Sequence, residues 1–197
     1  MQTRAYKVET QKTTAWAGGA TTELFLWPEG ASYQARDFLW RLSTARIDQS
    51  PSVFTSLPAY ERILIPLTGE LTLAHEGGAP FTLERFHAHR FDGAWDTVSV
   101  GCVRDFNLML QKGRAKGHLE ALHVTREERV RLKLKQSAQH FQAAYCFEGS
   151  ARIHWGEESL SLASGELMLL EQPPGELALL PQNGAAATLL LAEIQIK

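Results

Sequence analysis

Two strand-like segments carry the side chains best suited to chemistry. In Phe38-Leu39-Trp40-Arg41-Leu42-Ser43-Thr44-Ala45, a period of two puts Arg41, Ser43 and Ala45 on one face and Trp40 and Leu42 on the other. In Asp105-Phe106-Asn107-Leu108-Met109-Leu110, Asp105 and Asn107 share a face with Met109, while Phe106, Leu108 and Leu110 share the opposite one. A few fixed polar groups backed by large apolar side chains are what small-molecule sites are made of. The same residues also fit a solvent-facing set or a buried Arg41–Asp105 salt bridge. Arg62 opens the run Arg62-Ile63-Leu64-Ile65, and its guanidinium fork suits a planar, two-bond grip on a carboxylate. Glu61 and Glu23 are its alternative partners.

Histidine spacing invites a metal reading that the surroundings do not support. His87-x-His89 would place two imidazoles on one face of a strand, but a transition metal needs a third ligand at a sensible position. Phe81, Gly93 and Ala94 stand where a metal-binding cupin pattern wants a Gly before and a Glu after the pair, so no metal is expected. The segment Trp16-Ala17-Gly18-Gly19-Ala20-Thr21-Thr22-Glu23 is rich in Gly and Thr but lacks a following Gly-Lys-Ser/Thr, and suits a tight hairpin or a loop over a pocket better than a phosphate cradle. No G-x-S-x-G, H-E-x-x-H or G-x-G-x-x-G occurs.

The elements that must position these groups read as strands. Short alternating segments bounded by Gly, Pro, Asn, Asp or Ser are expected at 4–10, 22–27, 38–47, 61–67, 70–75, 81–83 and 104–110. The series continues at 119–124, 130–135, 143–147, 151–155, 158–162, 167–170, 176–180 and 187–194. A sheet with one apolar face must cover it, which predicts two sandwich or small-barrel halves. Leu67-Thr68-Gly69-Glu70-Leu71-Thr72-Leu73 running into Phe81-Thr82-Leu83 is echoed by Phe147-Glu148-Gly149-Ser150-Ala151-Arg152-Ile153 running into Glu158-Ser159-Leu160, which points to duplication. Residues 112–117 hold two Gly, three basic residues and no large apolar side chain; they are expected to link a half at 1–111 to a half at 118–197. In the second half, Arg129, Arg131, Lys133 and Lys135 share a face of one strand, which reads as a solvated outer face.

Composition narrows the partners. With 20 Lys+Arg against 22 Asp+Glu in 197 residues, no global basic field exists to hold nucleic acid or an anionic membrane. Apolar stretches such as 63–67 and 185–192 are too short to span a bilayer, and the opening residues lack a secretory apolar segment, so a cytoplasmic location is expected. Cys102 and Cys146 stand far apart without a C-x-x-C and are expected to be reduced and unpaired.

Taken together, Trp16…Gly18-Gly19-Ala20-Thr21-Thr22-Glu23-Leu24, Phe38 to Ala45, Phe54-Thr55-Ser56-Leu57-Pro58…Glu61-Arg62-Ile63-Leu64, Leu67-Thr68-Gly69-Glu70-Leu71, Phe91-Asp92-Gly93 and Asp105 to Met109 resemble the HutD/Ves family. The motifs cover roughly the first 110 residues in order; the rest agrees in strand pattern. The resemblance implies an all-β bicupin, two jelly-roll halves in one chain. It implies no cofactor, and a regulator or sensor that binds a small carboxylate metabolite in amino-acid (histidine-like) metabolism or stress response. Carried over motif by motif, its pocket positions fall on Thr21, Glu23, Trp40, Arg41, Ser43, Arg62, Asp105 and Asn107. The chain departs from the family pattern in its first motif, where Gly18-Gly19-Ala20 replaces a longer segment with Asn. The rival readings are an enzyme with Glu23 or Asp105 as general base, and an interaction module whose cup is filled by side chains. A homodimer is left open.

Overall fold

The computed structural model describes residues 2–125, 130–134 and 139–197. It is all-β, as expected; among the described residues the only helical element is one 3-10 turn, Val8–Thr10. That turn and β1 (Gln2–Tyr6) occupy the stretch expected as one strand at 4–10. β1 pairs with the late strand Leu167–Glu171, Thr3 opposite Leu170. The chain accordingly divides into one compact unit of residues 1–10 and 117–196 and another of Gln11–Lys116 with Lys197. The first ten residues therefore leave the half at 1–111 in which the sequence placed them.

The Gln11–Lys116 unit holds β2 (Lys12–Trp16), β3 (Gly19–Trp27), β4 (Trp40–Ile47), β5 (Ser52–Val53), β6 (Tyr60–Thr68), β7 (Leu71–His75), β8 (Phe81–Leu83), β9 (His89–Asp92), β10 (Thr97–Val100) and β11 (Arg104–Gln111). They form a six-stranded sheet in the order β2-β3-β4-β11-β6-β9 and a four-stranded sheet in the order β5-β10-β7-β8. Leu64, Leu71, Leu73, Leu83, Phe91 and Val103 make a buried apolar cluster in this unit. The expected linker is a short turn instead: Gly113 adopts a positive φ of 76°, and the next strand already begins at Ala115.

The other unit adds β12 (Ala115–Val124), β13 (Val130–Lys133), β14 (His140–Glu148), β15 (Ser150–Trp155), β16 (Glu158–Ala163), β17 (Leu167–Glu171), β18 (Glu176–Pro181) and β19 (Ala187–Ile196). Its sheets run β1-β17-β14-β19-β12 and β13-β18-β15-β16. Ile153, Trp155, Leu162, Met168, Leu179 and Leu189 belong to one buried cluster that fills its interior. Arg131 and Lys133 are exposed on β13, as a solvated face requires, while Arg129 and Lys135 lie outside the described residues.

Candidate functional site

The six-stranded sheet lays its inward side chains out as a grid. Antiparallel register puts Thr14, Thr21, Ala45, Asp105 and Pro66 in one row across β2, β3, β4, β11 and β6. The next row reads Lys12, Glu23, Ser43, Asn107, Leu64 and, on β9, His89. The third contains Arg41, Met109, Arg62 and Phe91. Neighbouring strands lie about 4.8 Å apart, so the Cα atoms of Arg41 and Arg62 are separated by roughly 10 Å with Met109 between them. Register shifts beside Glu23 and beside Asp105 mark irregularities in the ladder next to both site carboxylates, a common way of aiming side chains in a site.

A cavity of about 580 Å³ opens over the polar part of this grid. Its floor includes Thr21, Glu23, Arg41, Ser43, Arg62, Asp105 and Asn107, seven of the eight positions expected from the sequence. Trp40 is the exception and is corrected here: its side chain is on the opposite face, fully buried and packed 5.1 Å from Phe25 between ring centroids. The alternation that puts Arg41 on the floor necessarily turns its neighbour away.

Arg41 and Arg62 are built differently. Arg41 donates from Nε to Glu23 Oε2 at 2.8 Å and from Nη1 to Ser43 Oγ at 3.0 Å, with its guanidinium 4.6 Å from the Tyr33 ring centroid. Its partner is Glu23, which replaces the Arg41–Asp105 bridge considered from sequence. Arg62 bonds to neither Glu61 nor Glu23. Glu61 pairs with Arg90, and Arg62 Nε is buried with no hydrogen-bond partner among the described residues. The Phe54 and Phe91 rings lie against the Arg62 guanidinium at 4.6 and 5.2 Å without giving it a hydrogen-bond acceptor, so its donors are left for a ligand that enters the cavity. Asn107 Oδ1 is likewise buried with no hydrogen-bond partner among the described residues.

Asp105 is 4% exposed. Burial pushes its carboxyl up to about 7, against the opposing pull of the Arg62 charge and a hydrogen bond from the Ala45 backbone N–H. Desolvation prevails over the Arg62 charge. Arg62 in turn is pulled down to about 10 by burial, with Asp105 and Tyr33 opposing the fall and Arg41 adding to it.

Sequence reasoning missed the aromatic and mouth residues Trp16, Tyr33, Phe54 and Lys12. Tyr33 sits in a connection between β3 and β4 that has no strand period. Tyr60 fastens that connection by donating from its hydroxyl to Arg36 O at 2.8 Å and Phe38 O at 3.0 Å. Trp16 donates to Thr21 Oγ1 at 3.2 Å and lies over Gly18, where a Cβ would come within 2.3 Å of the indole. The Gly/Thr-rich turn is thus a tight hairpin at the cavity mouth, and the aromatic flanking it in sequence was the available signal.

The histidines pair differently from the sequence expectation. His87 is exposed and precedes β9, so it does not share a strand face with His89. His89 Nε2 instead meets His75 Nε2 at 2.8 Å. Thr97 Oγ1 donates to Trp95 O at 3.2 Å, so it accepts from His75 Nδ1–H at 2.8 Å; His75 Nε2 is then the acceptor and His89 Nε2–H the donor. Burial lowers both imidazoles below their ordinary value, opposed at His75 by Glu76 and reinforced at His89 by His75. Among the described residues, no three or more His, Cys, Asp or Glu side chains gather in a metal-binding group.

The HutD family model matches residues 8–189, spanning both units. The chain belongs to the HutD family. A HutD from Pseudomonas fluorescens, its structure obtained in a formate condition, covers 100% of both chains at 19% identity with a TM-score of 0.77. A conserved protein of unknown function from Pseudomonas aeruginosa covers 99% of this chain and 100% of its own at 21% identity, with a TM-score of 0.86. The bacterial pirin YhhW from Escherichia coli, in complex with nickel(II), shares the architecture at 6% identity, a TM-score of 0.70 and 98% coverage of each chain. These likenesses extend the HutD assignment to the fold. Among curated proteins, none matches by sequence.

Proposed function

We propose that the Gln11–Lys116 unit binds a small carboxylate-bearing metabolite and acts as a sensor or accessory protein in amino-acid (histidine-like) metabolism or stress response, without a metal. The observation that carries this reading is Arg62. A buried guanidinium that lacks a hydrogen bond on its Nε and is covered by two aromatic rings is costly to desolvate, and a ligand carboxylate would supply the missing charge-assisted bonds. Three cations, Lys12, Arg41 and Arg62, line the cavity against the carboxylates of Glu23 and Asp105, which favours an anion. Membership of the HutD family is consistent with an accessory role in histidine utilisation. A cavity of this size counts against the interaction-module reading, in which side chains would fill the cup. The test is a thermal-shift screen of mono- and dicarboxylates, including formate, formylglutamate, formiminoglutamate and urocanate. At least one is expected to raise the melting temperature, as a ligand that binds only the folded state must. If none does, the assignment is wrong.

A further inference from the structure

A pocket made only to hold an anion has no use for Asp105. Its carboxylate is buried at one row's remove from Asn107 on β11, and lines the same cavity as Arg62, where its charge would oppose a bound carboxylate. It is not the contact counter-ion of Arg62, because among the described residues no ion pair joins them. Glu23, the other candidate base, is committed to Arg41. Asp105 receives a hydrogen bond from the Ala45 backbone N–H, which leaves carboxylate acceptor capacity facing the cavity.

Resting on the carboxylate-site reading, we propose that Asp105 is a general base that moves a proton at the carbon next to the carbonyl of a 2-oxo acid held by Arg62, so that this site catalyses reversible enolate formation and, as the Asp105 carboxyl trades its proton with solvent, exchange of the C3 protons. The guanidinium, which lies against Phe54 and Phe91 and keeps a buried Nε without a partner among the described residues, binds the substrate carboxylate. Asp105 takes a proton from C3, the C3–H electron pair becomes the C2–C3 double bond, and the carbonyl oxygen becomes an enolate oxygen. The carboxamide of Asn107, between the rows of Asp105 and Arg62, is placed to donate to that oxygen. Return of the proton from the Asp105 carboxyl to C3 restores the keto acid, so the cycle needs no oxidant, reductant or second substrate. A group whose proton affinity lies near neutrality both takes and returns a proton readily, and the burial that raises Asp105 to about 7 supplies that property.

The experiment follows exchange of C3 protons of pyruvate and 2-oxoglutarate for deuterium in D₂O by ¹H NMR, beside thermal shifts with the same compounds. Exchange above the protein-free rate is expected, rising with pH through about 7 as Asp105 ionises. Asp105→Asn is expected to lower it by about 10²-fold or more, the usual worth of a positioned base, while keeping the thermal shift. Arg62→Lys should weaken both. A 2-oxo acid that raises the melting temperature without exchange, or exchange that Asp105→Asn leaves intact, overturns the proposal and leaves the binding site standing. Thermal shifts by α-amino acids alone would overturn it too, making Asp105 the partner of a ligand ammonium. If no carboxylate shifts the melting temperature, the site reading itself fails and this inference with it. The pH limb of the unaltered protein keeps the test decisive should Asp105→Asn not fold.

Discussion

Arg62 and Asp105 set the energetics of the cavity because neither is neutralised by a partner in contact. Arg62→Lys keeps a positive charge but loses the planar donor set and the guanidinium's contact with the Phe54 and Phe91 rings. It is expected to weaken carboxylate binding by about 1.5–3 kcal/mol, the worth of a hydrogen bond to a charged group, with little change in the unliganded melting temperature. Titration calorimetry and thermal unfolding check the two halves of that statement. Asp105 yields a pH prediction with a definite sign. Its folded-state value of about 7 lies above the ordinary aspartate value of 3.8, so the native state holds the extra proton between the two. Stability contributed by this group therefore falls as pH rises from about 4 through 7, and Asp105→Asn should flatten that fall and raise the melting temperature at pH 8 relative to the parent. A melting-temperature difference between Asp105→Asn and the parent that does not change from pH 4 to 8 would contradict the burial argument. The pairing of Arg41 with Glu23 was open in the sequence because a strand period fixes faces, whereas partners depend on register between strands.

At the scale of elements, register decides which motifs become a site. Strands β4 and β11 were legible because apolar residues alternate with Arg41, Ser43, Asp105 and Asn107, and that alternation put each pair on one face; Thr21, Glu23 and Arg62 came from the family motifs. β10 was not legible, because its pattern is inverted: Thr97 and Ser99 are buried while Val98 and Val100 are exposed. Thr97 is turned inward by its bonds to His75 and Trp95 O, and Ser99 by donating to Ser52 O at 3.3 Å. β2 was missed for another reason, since all five of its residues are exposed and no apolar face announces it. Its position depends on Gly19, where a Cβ would stand 1.9 Å from Arg46 O of β4. Gly19→Ala should therefore push β3 from β4, destabilise the fold by about 1–3 kcal/mol as overpacking does, and weaken binding through Thr21 and Glu23. Chemical denaturation and calorimetry test this, and an unchanged midpoint would refute it. The His75–His89 bridge joins β7 to β9. Both imidazoles titrate below the unfolded value, so the unfolded chain binds protons first as pH falls below 6.5, and stability should drop in that window. His89→Gln, which keeps a side-chain donor for His75, is expected to blunt the drop in a melting-temperature series from pH 7 to 5.

Across the whole molecule the duplication hidden in two hairpin echoes is realised as two units, each made of two facing sheets, with different contents. One holds a cavity over a polar grid; the other is filled by a continuous apolar cluster. The sequence carried this difference too. In the first unit, β4 and β11 turn Arg41, Ser43, Asp105 and Asn107 toward the cavity, whereas in the second β14, β17 and β19 turn Ala144, Met168 and Leu191 into the apolar cluster. What remained illegible was that β1 crosses to pair with β17, because a short, half-exposed strand can complete either sheet edge and only the tertiary fold selects one. The filled unit should then behave as an ordinary core. Ile153 is fully buried in its cluster, so Ile153→Ala is expected to cost about 2–5 kcal/mol from lost apolar contact and the cavity it leaves. No described residue of this unit lines the cavity over the polar grid, so the variant should bind any carboxylate the thermal-shift screen finds with unchanged affinity under conditions where it remains folded. Calorimetric binding on the folded variant, set beside its denaturation midpoint, separates the two effects. A loss of affinity as large as that of Arg62→Lys would mean that the filled unit also shapes the site.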